Sequence, residues 1–185
     1  MRILAGRVGT EFNANSLSAE LGISAPTIRK WLGILKTSYI VFALSPYHTN
    51  IEKRLSKTPK IYFYDTGLLC MLLGILKESH LETHPLRGAI FENLAIAEFL
   101  KEKYNENSLT DLYFYRENGG REVDILKIEG SDISIYEIKS SGTFNKEFVK
   151  NLNYLKKLLG DKITNETVIY NGPSIGTSVI NIRDI

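Results

Sequence analysis

The stretch REVDILKIEGSDISIYEIKS (residues 121–140) carries charge where a half-buried strand pair should stay apolar: Asp124, Glu137 and Lys139. Two carboxylates and an ammonium held together can take a divalent cation and polarise a water or a phosphate. Whether they meet depends on register. A two-residue turn at Gly130-Ser131, with glycine first, suits a primed hairpin turn. One face then pairs Ile128 with Ile133, Leu126 with Ile135, Asp124 with Glu137 and Glu122 with Lys139. The other pairs Lys127 with Ser134, Ile125 with Tyr136 and Val123 with Ile138, so apolar meets apolar throughout. Directly opposed residues have Cβ atoms roughly 4.5–5.5 Å apart, and like charges there repel. Near an apolar layer that repulsion is screened less than in water. Either one carboxyl holds a proton or a cation lies between them. Lys139 supplies some positive charge, and a divalent metal with oxygen ligands would supply more.

The elements that must position these groups follow from pattern. RGAIFENLAIAEFLKEKY (87–104) predicts a long helix, with Glu92 in line with Ala95, Ile96 and Phe99 at the edge of its apolar stripe. LTDLYFYR (109–116) predicts a strand and ENGG (117–120) a turn. FNKEFVKNLNYLKKLLG (144–160) predicts an amphipathic helix with Phe148, Leu152, Leu155 and Leu159 inward and Lys146, Lys150 and Lys157 outward. TVIYNG (167–172) and TSVINI (177–182) predict the last strands of an α/β sheet. A Glu-x-Lys alone should occur about once by chance in a chain of this size. The conjunction with an Asp in register and a helical Glu92 is more specific. The competing reading is a solvent-facing strand end with an ion-pair cluster of Glu122, Lys139 and neighbours.

The first third differs in charge and grammar. Residues 1–65 hold 9 Lys/Arg against 4 Asp/Glu, and residues 66–185 hold 14 against 17, which together give the net +2. A basic first module beside a mildly acidic one points to polyanion contact. NSLSAELGISAPTIRKWLGILKTSYIV (15–41) reads as a helix-turn-helix. Asn15 or Ser16 caps a first helix, Gly22 makes the turn, and Ser24 caps a second helix with Pro26 in its first turn. Ile28, Trp31, Leu32 and Leu35 form its buried stripe, and Thr27, Arg29, Lys30, Gly33 and Lys36 its open face. YIVFAL (39–44) and KIYFYD (60–65) predict a hairpin with Lys53, Arg54, Lys57 and Lys60 on or beside its tip, which makes a winged helix-turn-helix. DTGLLCMLLGILKES (65–79) predicts one helix packed between modules, with Cys70 in the core. ETHPLRG (82–88) is the boundary, giving a first unit over 1–80 and a second over 85–185.

One cysteine excludes a disulfide framework and a cysteine-based zinc site. His48, His80 and His84 show no ligand spacing. No apolar run approaches the roughly 20 residues of a membrane helix. With no signal-peptide pattern, a cytoplasmic protein without membrane contact is expected.

Asp124…Glu137-Ile138-Lys139 behind a helical Glu92 resembles the active-site pattern of the PD-(D/E)xK nuclease superfamily, the restriction-endonuclease-like fold. The resemblance implies that Asp124 and Glu137 ligate Mg²⁺ or Mn²⁺, that Lys139 polarises the water or the scissile phosphate, and that Glu92 assists through a metal-bound water. Val123 stands where many members carry proline. A second resemblance spans nearly the whole chain. LGISAPTIRKWLGILKTSYIV, PKIYFYDTGL, RGAIFEN, YFYREN, EVDIL and YEIKS, in that order, are similar to the carboxy-terminal region of prokaryotic AAA-type ATPases, a domain of unknown function numbered 4143. That likeness implies a winged helix followed by a nuclease-like mixed sheet flanked by helices, with an ATPase domain before both. Arg116 matches the arginine of the first core strand, able to contact phosphate or pair with the acids. No GxxxxGK[ST] occurs, so ATP hydrolysis is not expected of these residues.

The expected function is therefore metal-dependent cleavage of DNA, with Thr27, Arg29, Lys30, Lys53, Arg54, Lys57 and Arg116 as DNA contacts. The alternative is a non-catalytic adaptor that docks DNA or a protein to the ATPase. A transcriptional regulator is a third reading, and it leaves the opposed carboxylates unexplained. DNA, an ATPase domain and a second copy of the chain are the candidate partners.

Overall fold

Local capping sets the first third. In the computed structural model, which describes residues 1–47, 58–106, 111–117 and 120–185, a short helix α1 (Arg2–Ala5) precedes α2 (Ala14–Leu21). The Asn13 side chain accepts the Asn15 and Ser16 amides, so α2 starts before the caps expected at Asn15 or Ser16. Gly22 closes it at φ 67, in the left-handed region. Ser24 then caps α3 (Ala25–Thr37), accepting the Thr27 amide, with proline in the first turn. Ile28 is buried and Leu32 and Leu35 half-buried, but Trp31 is 47% exposed. The stripe expected to bury Trp31 is thus narrower, because α2 covers only the Ile28 side, through Ala14 and Leu17.

Strand β1 (Val41–Pro46) pairs antiparallel with β2 (Lys60–Phe63), from Val41 opposite Phe63 to Leu44 opposite Lys60. The hairpin tip carrying Lys53, Arg54 and Lys57, together with His48, lies outside the described residues. Lys60 does not belong to an exposed tip: it is 2% exposed, within a strand whose four residues are all buried. The single helix expected over 65–79 is instead α4 (Thr66–Leu72), capped by Asp65, and a separate α5 (Glu78–Glu82). Between them Gly74 adopts φ 77, which a continuing helix does not tolerate.

Helix α6 (Arg87–Asn105) leads into β3 (Asp111–Arg116), β4 (Glu122–Glu129) and β5 (Asp132–Lys139). A 3₁₀ turn at Lys146–Val149 enters α7 (Lys150–Leu159), followed by β6 (Ile163–Tyr170) and β7 (Val179–Asn181). Among the described residues the strands form one seven-stranded mixed sheet in the order β2-β1-β3-β4-β5-β6-β7. The β1–β3, β5–β6 and β6–β7 pairs are parallel and the others antiparallel. The hairpin of the first third is therefore continuous with the sheet of the remainder.

Two apolar layers cover opposite faces. Ile90, Ile96 and Phe99 of α6 pack with Phe114, Ile125, Ile138 and Ile169, and also with Phe63 and Leu69 from the first third. Leu152 and Leu155 of α7 pack with Leu126, Ile135 and Val168. β6 begins at Ile163, earlier than the 167 expected, because exposed Asn165 and half-buried Glu166 interrupt the apolar pattern at a solvated end. Beyond β6, a Cβ built on Gly172 would lie 2.4 Å from the Gly142 carbonyl oxygen and from the Tyr170 ring. Gly172→Ala is expected to destabilise by about 1–3 kcal/mol, since backbone and a buried ring must shift. Urea unfolding checks this, and an unchanged midpoint would contradict it.

Candidate active site

The hairpin register is the expected one from Glu129 opposite Asp132 to Ile125 opposite Tyr136, with Gly130 at φ 63 in the turn. It then changes. β3 pairs Tyr113 with Leu126 but Tyr115 with Val123, so Asp124 and Ile125 together stand opposite Phe114. This extra residue in β4 is a β-bulge, which breaks strict alternation and re-aims side chains. Val123 consequently joins the α7 layer and Ile125 the α6 layer, whereas strict alternation puts both on one face. The direct pairing expected between Asp124 and Glu137 is replaced by a different contact. The Ile138 amide donates to Asp124 Oδ2 at 2.7 Å, and Glu137 to Lys139 pair with Val168 to Tyr170 of β6.

Around the bulge the charges converge. Carboxylate oxygens of Glu92 (α6), Glu122 and Asp124 (β4) all lie within 4.8 Å of one another. Lys139 Nζ is 2.6 Å from Glu137 Oε1 and 3.9 Å from Asp124 Oδ2. Glu137 Oε2 is buried with no hydrogen-bond partner. Arg116 pairs at 3.5 Å with Glu122 and at 3.6 Å with Glu11. The Arg87 guanidinium donates to the Ser140 carbonyl at 3.3 Å, tying the start of α6 to the end of β5.

Three groups in this site were not assigned to it from sequence. Lys60 donates to Glu92 Oε1 at 3.0 Å and ion-pairs with Glu122 Oε1. The Tyr62 hydroxyl donates to the same Glu92 oxygen at 2.5 Å. Asn93, fully buried, accepts the Phe63 amide at 2.7 Å and donates to the Phe63 carbonyl at 3.1 Å and to Thr66 Oγ1 at 3.0 Å. Adjacent residues of α6 thus hold β2, Glu92 through Lys60 and Tyr62 and Asn93 through Phe63. The signal for Lys60 was present: a charged residue opening an apolar strand, the same sign that marked Asp124. Glu122, read from sequence as a member of a solvated cluster, is half-buried and faces Lys60. Asn93→Ala leaves a buried amide and carbonyl of Phe63 without their partner. It is expected to lower stability by about 2–4 kcal/mol, visible as a fall in Tm. A loss below about 0.5 kcal/mol would show that Asn93 does not hold β2.

Electrostatics matches this crowding. Burial, then the charges of Glu92 and Glu137, push Asp124 well above the usual carboxylate range, with Lys139 and Lys60 opposing. Burial also raises Glu137, and the Lys139 charge pulls the other way. Burial alone would lower Lys139, but Asp124 and Glu137 outweigh it and hold the ammonium above its ordinary value. Lys60 follows the same pattern with Glu92 and Glu122. The cluster is a set of acids kept together by ammonium groups at a low-dielectric sheet end.

Of the expected DNA contacts, Arg29 and Lys30 are exposed on α3, while Thr27 is half-buried with its hydroxyl 2.8 Å from Ser24 Oγ in the helix cap. Arg116 is 41% exposed at the rim of the acidic cluster.

An α/β protein with a mixed sheet and a carboxylate–lysine cluster at a bulged strand is the class defined so far. The chain belongs to the family named Domain of unknown function (DUF4143), whose model matches residues 87–182. Residues 1–79 match a second model, Domain of unknown function (DUF8612). The chain is 34% identical over 142 residues to the Uncharacterized protein Rv2008c of Mycobacterium tuberculosis, and equally to the Uncharacterized protein Mb2031c of Mycobacterium bovis. That stretch covers 76% of this chain but 31% of each relative, so the chain spans less than a third of their length. No solved structure gives a match. No helix among the described residues is long and apolar enough to cross a membrane.

Proposed function

We propose that this chain is a metal-dependent module that cleaves phosphodiester bonds in DNA, built on a restriction-endonuclease-like sheet with a winged helix-turn-helix before it. The observation that carries the reading is convergence: Glu92 from α6, Asp124 from the bulge and Glu137-x-Lys139 from β5 meet at one sheet end. Buried carboxylates gathered without function would be costly, and one buried oxygen, Glu137 Oε2, has no partner.

The donor set fits Mg²⁺ or Mn²⁺. Carboxylate oxygens are the hard ligands such ions take, and an orphaned buried oxygen beside Asp124 gains a partner from one. Asp124 and Glu137 would hold the ion, with Glu92 and Glu122 bordering it. When bound, the ion would supply Lewis-acid stabilisation of the phosphate and a more acidic water. The protein's own groups do the rest. Lys139, 34% exposed at the mouth, presents its ammonium to a phosphate oxygen or to the attacking water. Arg116 stands ready to exchange its carboxylate partners for phosphate. Arg29 and Lys30 on α3 give the duplex a basic helix. In longer relatives the module would work beside an AAA-type ATPase domain.

A second reading, the non-catalytic adaptor, is favoured by Lys60, which already neutralises Glu92 and Glu122 without metal. Cleavage assays on supercoiled, single-stranded and branched DNA separate the two. The nuclease reading expects strand scission in Mg²⁺ or Mn²⁺ that stops on chelation. Inert protein on all three substrates with both ions would establish the adaptor. For the DNA surface, Arg29→Ala with Lys30→Ala is expected to reduce the slope of log K against log salt by about 1.8. An unchanged slope in a filter-binding titration would remove α3 from the interface.

A further inference from the structure

Resting on the reading of this cluster as a metal site, we propose that Lys60 is a built-in competitor of the metal, its ammonium seated on the oxygens of Glu92 and Glu122 that border the ion. The geometry is direct. Lys60 Nζ lies 3.0 Å from Glu92 Oε1 and is paired with Glu122 Oε1, and these two acids share the 4.8 Å carboxylate triangle with Asp124. The side chain is 3% exposed, so this is no solvated surface pair. Its ammonium also stands 5.3 Å from the centre of the Phe114 ring, opposite the bulge that carries Asp124.

An acidic cluster alone does not make a site. Here a second observation points to a ligand: Glu137, 4% exposed, has a buried oxygen without a hydrogen-bond partner, and its electrostatic neighbours include Glu122 and Glu92. Lys139 and Lys60 together bring two positive charges to the carboxylates of Glu92, Glu122, Asp124 and Glu137, so part of the negative charge that would draw a cation is already cancelled. Glu92 and Glu122 each keep a second oxygen, so the competition is one of charge: a divalent ion held by Asp124 and Glu137 and the Lys60 ammonium repel at close range in a low-dielectric site. A seated Lys60 therefore weakens metal binding.

The device also links the two matched regions. Lys60 and Tyr62 lie on β2, in the first, and both hold Glu92 of the second. β2 is bracketed by β1 and by the amino-terminal segment, whose Gly9 and Phe12 amides donate to the Ile61 and Pro59 carbonyls at 3.0 Å each. Seating of Lys60 and occupancy of the metal site oppose each other.

The test is titration calorimetry of Mn²⁺ into the wild-type chain and Lys60→Met at one pH, with thermal unfolding of both in the presence and absence of Mn²⁺. Lys60→Met is expected to bind Mn²⁺ at least tenfold more tightly, and Mn²⁺ should raise its Tm more than the wild type's. If the variant does not fold alone, recovery of its circular dichroism on Mn²⁺ addition supports the proposal, and failure to recover at saturating Mn²⁺ overturns it. Equal or weaker Mn²⁺ affinity in a folded Lys60→Met also overturns it, and with metal-dependent cleavage intact in the wild type the nuclease reading survives that failure. Tighter Mn²⁺ binding with no cleavage by either protein supports the Lys60 device and removes the nuclease reading instead.

Discussion

Lys139→Ala is expected to lower metal-dependent DNA cleavage by at least about 10²-fold. Its ammonium is 2.6 Å from Glu137 and a third exposed. A preorganised positive group aimed at developing negative charge is worth about 10²–10³ in rate when removed. Lys139→Arg keeps the charge but not its compact shape, and partial recovery separates charge from position. Circular dichroism and Tm are the controls: a variant that is folded and still cleaves at the wild-type rate would remove Lys139 from the chemistry.

Asp124→Asn carries the opposite pair of effects, loss of cleavage with gain of stability. Asp124 is buried, and its pKa stands above the unfolded value because of burial and the neighbouring Glu92 and Glu137 charges. A carboxyl with a raised folded-state pKa makes its favourable contribution below the unfolded value and loses it as pH climbs towards the folded one. At pH 7 to 8 the metal-free wild type therefore bears the cost of an ionised or proton-bound buried acid. Asparagine removes that cost and still offers an oxygen to the Ile138 amide. The variant should melt about 2–4 °C higher for each kcal/mol recovered in a chain of this length, with an advantage that grows from acidic pH upward. Saturating Mn²⁺ should shrink the difference, because only the wild type gains the full ligand. A variant less stable than the wild type across pH 5 to 8 without metal would show that the Asp124 charge is welcome in the folded state.

Much of this site was legible in the sequence, and the reasons for the rest are physical. The Gly130-Ser131 turn pinned the hairpin register, because glycine at positive φ leaves few ways to close two strands. The apolar spacing of α6 and α7 placed Glu92 at the edge of a stripe and turned Lys146, Lys150 and Lys157 outward. The bulge was invisible because it arises from pairing with β3. EVDIL reads as ordinary alternation, and only the partner strand reveals that Asp124 and Ile125 oppose one residue. Lys60 was misplaced by company, since Lys53, Arg54 and Lys57 lie just before it and suggest a basic loop. Its burial depends on Glu92, thirty-two residues away, which one-dimensional pattern cannot pair with it. Trp31 went the other way: helical period put it in the stripe, but too little of the neighbouring structure reaches that side of α3. The common thread is that period reports which face a residue occupies, while long-range partners decide whether that face is covered.

The central claim is that Asp124 and Glu137 are ligands of a divalent ion. Anomalous diffraction from crystals of the wild-type chain, soaked in Mn²⁺ above the dissociation constant found by titration, tests it most directly. A manganese peak bounded by Asp124 and Glu137 is expected. Manganese bound only elsewhere, or none bound at saturating ion, would overturn that assignment.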